Sequence, residues 1–161
     1  MSTAPGAALR WQTSAFGELS LEALYAALQL RQAVFVVEQN CPYQDLDDLD
    51  KEAFHMLCWR DGKLLATQRC LPPGRCYTQS AIGRIVVSPE ARGLKLGREL
   101  VQRGIDFNLA QWPGSGIRIG AQAYLLDFYT GLGFVSEEDD YVEDGIPHVH
   151  MRYEGPEPVS P

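Results

Sequence analysis

The stretch that most limits what this chain can become is IVVSPEARGLKLGREL, from Ile85 to Leu100. Its first part belongs to a run from Ser80 to Ser88 whose Ile82, Ile85, Val86 and Val87 suit a central β-strand, and Pro89 stops that strand. From Lys95 to Ala110, Leu96, Leu100, Val101, Ile105 and Leu109 form one apolar stripe. Arg98, Glu99, Gln102, Arg103 and Asp106 lie opposite it, as in an amphipathic helix. A strand therefore hands the chain, through a short loop containing Gly93, to a helix start. Unpaired N–H groups and the positive end of the helix dipole at such a start suit an anion. The whole chain carries a net charge of -7, yet Arg84, Arg92, Lys95, Arg98 and Arg103 face only Glu90 and Glu99 across this stretch. A solvated strand-to-helix turn is the competing reading of the same residues. The spacing excludes two phosphate loops: Gly93 and Gly97 are too close for a Walker motif and are followed by Arg98-Glu99, and no Gly-x-Gly-x-x-Gly is present.

The 161 residues and 45% apolar content suffice for one buried core. We expect a single domain over residues 9–154, with flexible ends at 1–8 and 155–161, where Pro, Gly and small residues offer little to bury. The acidic balance argues against nucleic-acid binding. No apolar run approaches the roughly 20 residues of a membrane span, and MSTAPGAALRW lacks a secretory pattern, so a cytoplasmic location is expected. Cys41, Cys58, Cys70 and Cys76 form no Cys-x-x-Cys pair and read as reduced thiols.

Ser20 can cap a helix with Leu21, Leu24, Tyr25 and Leu28 on its apolar face, and a second helical stretch runs through Leu30, Val34 and Val37 to about Gln39. Ala53–Trp59 and Lys63–Cys70 read as antiparallel strands joined by Asp61-Gly62. Ile117–Ala121 reads as a strand, Tyr124–Leu132 as a short helix ended by Gly133, and His148–Tyr153 as a last strand, with an opening strand near Trp11. Two acidic stretches stand out. The twelve residues from Asp45 to Met56, whose acids end at Glu52, depart from a calcium loop at Asp50 and Met56, and read as a solvated loop or a wall attracting a cationic substrate. Glu137–Asp144 holds six acids and no base. His148 and His150 share a strand face and could hold a metal with His55 or an acid, but no dense ligand cluster supports this and no metal is expected.

Arg92-Gly93-Leu94-Lys95-Leu96-Gly97 resembles the Arg/Gln-x-x-Gly-x-Gly/Ala motif of the GNAT superfamily, with Lys95 at the first Gly position. GAQAYLLDFYTGLGF is similar to that family's closing helix. FVVEQNCPYQDLD, IGRIVVS, GAQAYL and EDGIPH look like stretches of its ElaA-like subgroup, in the expected order. The resemblance implies a mixed α/β, GNAT fold: a central, mostly antiparallel sheet of about six to seven strands flanked by about four helices. It implies acetyl-CoA as cosubstrate and an amine acceptor, small molecule or protein lysine, and is compatible with a homodimer.

It further implies that Ile85, Val86 and Val87 hold the pantetheine arm and orient the thioester, with Gln122 beside them. Gly93, Leu94, Lys95, Leu96, Gly97 and Arg98 would present amides to the pyrophosphate, with Arg92 adding charge. Lys95 could obstruct this contact or reach the phosphates; we expect the second.

Acyl transfer to an amine needs a proton removed from the amine and one supplied to the leaving thiolate. For a lysine-like amine at pH 7, deprotonation costs roughly 4.6 kcal/mol. Tyr129 matches the family's general acid. Glu38, at the end of an apolar helical run where burial could raise its pKa, ranks first as base and His148 second. A catalytically inactive acetyl-CoA-binding sensor or protein-interaction module is the alternative function, favoured by Lys95.

Overall fold

The computed structural model describes residues 8–93 and 95–155. The expected flexible ends fall outside them apart from Ala8 and Gly155, and Leu94 also lies outside the described residues. In chain order the main elements are β1 (Arg10–Ala15), α1 (Leu21–Arg31), a π-helical segment (Gln32–Glu38), β2 (Phe54–Arg60), β3 (Lys63–Leu71) and β4 (Ser80–Val87). Then come α2 (Leu96–Gln111), β5 (Ile117–Gln122), α3 (Leu126–Thr130), β6 (Phe134–Glu143) and β7 (Ile146–Tyr153). The strands form one sheet in the order β1-β2-β3-β4-β5-β7-β6. Every described pairing is antiparallel except β4 with β5. This is the mixed, mostly antiparallel α/β sheet expected from the sequence.

The sheet is covered on both faces. Leu57 and Trp59 of β2 pack on Ala23 and Ala27 of α1. The alternate residues Met56 and Cys58 pack on Leu96 and Leu100 of α2. This period-two division explains why β2 and β3 read as nearly continuous apolar runs. The hairpin between them turns at Asp61 and Gly62, with φ of 52° and 77°.

Two expectations are corrected. Ser20 does cap α1, accepting from the Ala23 amide at 3.1 Å. The face turned inward, however, is Ala23, Ala27 and Arg31, while Leu21 and Tyr25 are 84% and 72% exposed. Small residues let the helix approach the sheet closely enough to bury a guanidinium. Second, two strands follow α3 rather than one. β6 occupies the sheet edge, where a strand need not alternate apolar residues, so its acids hid it. The Asp144-Gly145 turn into β7, with φ of 51° and 78°, repeats the Asp61-Gly62 chemistry and is the signal that marks it.

α2 lies close enough to the sheet for a Cβ on Gly104 to fall 2.5 Å from Gln68 Nε2. Gln68 is buried and donates to the Leu100 carbonyl at 2.8 Å, so it has little room to yield. Gly104→Ala should therefore lower the urea midpoint. Overpacking costs about 1–3 kcal/mol against a helix-propensity gain of about 1 kcal/mol; an increase in stability would mean that Gln68 swings aside freely.

Candidate active site

The site begins with a fault in the sheet. Thr67 pairs with Val86 and Arg69 with Gly83, so β4 carries one more residue than β3 across this interval. The extra backbone is accommodated at Arg84, whose φ is 48°. A bulge of this kind bends and twists a strand. β4 has already left β5 before the bulge: the parallel pair is joined only at Ser80 with Ile117 and Ala81 with Arg118. The closed end is pinned by Asn108 of α2, which is fully buried and donates to Ser80 Oγ and the Ala81 carbonyl, both at 3.1 Å. Past Ala81, the β4 edge facing β5 is left without a paired strand.

The gap opens a cavity of about 860 Å³ that every residue from Ala81 to Val87 lines. Ile85, Val86 and Val87 lie on its β4 wall and Gln122 on its β5 wall. Gln122 Nε2 stands 3.5 Å from Gln39 Oε1, beside the end of the π-helical segment. Gly97 lines the same cavity, and a Cβ there would lie 3.6 Å from Val87 and 3.9 Å from Phe128, so the start of α2 comes close to both walls. Leu96 contributes to the core, and Arg98 is exposed. Gly93 turns at φ 90° and Lys95 at 58°. Lys95 thus adopts the left-handed conformation that explains a glycine preference at its position, and it is exposed.

Tyr129 is 5% exposed, lines the cavity and stands edge-on to Phe128 and Phe134. Burial, with a smaller contribution from Tyr124, pushes its pKa above the ordinary phenol value, which keeps the proton on the oxygen near neutral pH.

Glu38 does not match its expected state. It is 43% exposed, and both carboxylate oxygens accept from Arg92 at 2.7 Å. The Arg92 hydrogen bonds hold its pKa below the usual carboxylate range, rather than burial raising it. Arg92 also reaches the Val87 carbonyl, with Nε at 3.3 Å. The residue expected on the pyrophosphate is here engaged by the residue expected to act as base.

The acidic segment after the π-helical turn is neither a solvated loop nor a free acidic wall. Arg31 binds Asp50 through two hydrogen bonds at 2.8 and 3.0 Å, and Asp45 at 2.9 Å. Arg69 grips Asp47 with two bonds of 2.7 Å and reaches Asp50 at 3.0 Å. Arg84, in the bulge, stands 2.6 Å from Asp45 and 3.3 Å from Asp47. Three arginines from α1, β3 and β4 thus balance three aspartates and clamp the loop to the bulged strand. Asp48, outside the cluster, pairs with Lys51 in solvent.

Burial alone would raise Asp47, but the Arg69 bonds and the neighbouring guanidinium charges bring it down to about 2. Asp50 is lowered against its own burial by Arg31 and then Arg69. Because both folded pKa values lie below the unfolded one, their contribution is complete above about pH 4 and lost as pH falls through the folded values. The urea midpoint should therefore decline from about pH 4 to about pH 2. Asp47→Asn should flatten part of that decline; an unchanged slope would remove Asp47 from the account.

His148 is buried against the cavity, its Nδ1 2.7 Å from the Ile146 carbonyl and its Nε2 3.9 Å from Glu143. His148 and His150 both stack on Tyr141, at 5.4 and 4.3 Å between ring centres. His55 sits in the core with Nε2 2.8 Å from the Asp50 carbonyl, and burial lowers its pKa. Among the described residues no three metal-ligating side chains come together. Cys58 and Cys70 are buried thiols pushed up to about 11 and about 12 by desolvation. Cys41 donates to the Asp144 carbonyl at 3.1 Å, linking the acidic loop to the β6–β7 turn across the cavity wall.

A parallel pair that separates beside a helix start defines a class. A family model described as an acetyltransferase (GNAT) domain matches residues 20–155, and the chain belongs to that family, whose members use acyl-CoA as cosubstrate. Within the family it is ElaA-like. Protein ElaA of Escherichia coli K12 is 44% identical over 148 residues, covering 91% of this chain and 97% of that one. The crystal structure of Escherichia coli ElaA is similar at a TM-score of 0.85 and 42% identity, covering 91% of this chain and 100% of that one. An acyl-CoA N-acyltransferase from Pseudomonas aeruginosa reaches 0.86 at 44% identity, covering 91% and 99%. No helix among the described residues is long and apolar enough to cross a membrane.

Proposed function

We propose that this protein is an N-acetyltransferase that moves the acetyl group of acetyl-CoA directly to an amine. The observation that carries the reading is the separation of β4 from β5 with a buried tyrosine inside the gap. The residues present fit an acyl-CoA. The unpaired β4 edge offers amides and carbonyls to the pantetheine arm at Ile85 and Val87, as an added strand would use them. The start of α2 from Lys95 to Arg98 offers N–H groups and positive charge to the pyrophosphate. In this reading the amine nitrogen attacks the thioester carbonyl carbon and the carbon–sulfur bond breaks. Tyr129 gives its proton to the departing sulfur, and a base in the cavity takes the proton lost by nitrogen. Glu38 and His148 both line the cavity and are the candidates for that base. Amides of the β4 edge stabilise charge developing on the carbonyl oxygen.

The loop from Asp45 to Asp50 offers the acceptor no free acidic wall, since Asp45, Asp47 and Asp50 are balanced by arginines, whereas Glu143 and Asp144 of the β6–β7 turn also line the cavity. Polyamines, small amines and lysine peptides therefore belong in one screen. The test is thiol release from acetyl-CoA on addition of each amine. Amine-dependent release supports the enzyme reading. Tight acetyl-CoA binding without release by any amine would support the sensor reading, for which the strained backbone at Lys95 is the relevant observation.

A further inference from the structure

The three strands beyond the gap divide their side chains between two faces. Gly120 and Gln122 of β5 stand opposite His150 and His148 of β7, and His148 stands opposite Tyr141 of β6, so these five positions share one face. The alternate residues Ile119, Ala121, Val149 and Met151 pack with Tyr129 in the core on the other face. Tyr129 and Tyr141 nevertheless line the same cavity, one from each side of the sheet. Gly120 lies two residues past Arg118, the last residue of β5 that pairs with β4, and therefore flanks the gap. A Cβ on Gly120 would collide with the Tyr141 hydroxyl and lie 3.4 Å from that of Tyr77. Both phenols thus reach over Gly120 to the gap, from the side that Tyr129 does not occupy.

The same side carries charge. Glu143 follows Tyr141 by two residues in an unbroken register along β6, and so shares its face. It lines the cavity, and its carboxylate meets no cation among the described residues other than His148, with Nε2 at 3.9 Å. The turn that carries it is held to the cavity wall by the Cys41 bond to the Asp144 carbonyl. Tyr141 is braced by the two histidines stacked on it, and Tyr77 stands edge-on to His150. An approach walled by aromatic rings and carrying an unneutralised carboxylate suits a cation.

We propose that the acceptor enters on this side, between Tyr77, Tyr141 and the β6–β7 turn, and that Glu143 selects amines carrying a second positive charge elsewhere in the molecule. This rests on the acetyl-transfer reading of the cavity. The reacting nitrogen lies over Gly120 at the gap, and the remote ammonium stays against Glu143. The remote ammonium takes no part in bond making or proton transfer, so its contribution falls on acceptor binding. Entry from this side leaves Tyr129 clear to serve the sulfur from the other.

The test measures kcat/KM by thiol release for a series of α,ω-diamines and for the n-alkylamines of equal length. In the parent the best diamine should exceed its alkylamine about tenfold, of which about twofold reflects two equivalent nitrogens and about fivefold an exposed charge pair. Glu143→Gln should cut the diamine value about three- to fivefold, through KM, and the alkylamine value less than about twofold, with CoA affinity unchanged. Glu143→Asp should recover part of the loss. Gly120→Ala, which drives the Tyr141 hydroxyl off the gap, should raise KM for both kinds of amine while CoA affinity stays within about twofold of the parent's. A parent ratio near two, or the same ratio in Glu143→Gln, would overturn selection of a second charge, and an unchanged KM in Gly120→Ala would overturn entry on this side. Bound CoA with no thiol release on adding any amine would instead overturn the acetyl-transfer reading, and this subsite with it.

Discussion

Tyr129→Phe should lower kcat by about a hundredfold or more while leaving CoA affinity and thermal stability close to those of the parent. The hydroxyl is the only group removed. The ring keeps its edge-on contacts with Phe128 and Phe134 in a site that is 5% exposed. A positioned acid contributes about 10²–10⁴ in rate, and a thiolate leaving without one must depart as the anion. The raised pKa sharpens the expectation. Burial holds the phenol in its protonated form across neutral pH, so the parent should show no loss of rate from Tyr129 ionisation below the ordinary phenol range near pH 10. A variant with the parent's kcat would remove Tyr129 from the chemistry and leave it an aromatic core residue.

The second large effect concerns stability. Asp50→Ala should destabilise the protein by about 3–5 kcal/mol, because it leaves three arginines facing two aspartates in a buried network, even though Asp45 still bonds Arg31 and Asp47 still bonds Arg69. Asp50 is the shared acceptor of Arg31 and Arg69, which are 2% and 4% exposed. With both guanidiniums sealed from water, neither can recover hydration. For a chain of this size the loss amounts to roughly 6–20 °C in Tm. Asp48→Ala is the control, since Asp48 is exposed and its pair with Lys51 lies in solvent; about 0–1 kcal/mol is expected there. Similar midpoints for the two variants would show that the arginine cluster does not hold the loop.

The parts of this molecule that were legible in the sequence are those set by short-range pattern. Asp61-Gly62 fixes a hairpin by backbone conformation, the apolar stripe from Leu96 to Leu109 fixes α2, and Pro89 with the basic loop fixes the strand-to-helix junction. Tyr129 and Gly97, which the family motifs single out, both line the cavity. What was not legible depends on partners distant in the chain. Nothing local says that Asp45, Asp47 and Asp50 will meet Arg31, Arg69 and Arg84, so an acid-rich loop read as solvated. Nor does a periodicity reveal that α1 buries its alanines and Arg31 while showing Leu21 and Tyr25 to water. The bulge beside the cleft sits at Arg84, a residue type carrying no turn signal, and its positive φ accompanies the register shift with β3. Glu38 was assigned the environment of a helix end, whereas its state is set by Arg92 arriving from another element.

The central claim is that the gap between β4 and β5 receives the acyl-CoA, and amide hydrogen exchange with and without saturating acetyl-CoA tests it most directly. Slower exchange is expected in residues 82–98, along the free edge of β4 and the start of α2, with β1 and β2 unchanged. Binding with no protection in that stretch, or protection confined to another face of the sheet, would contradict it.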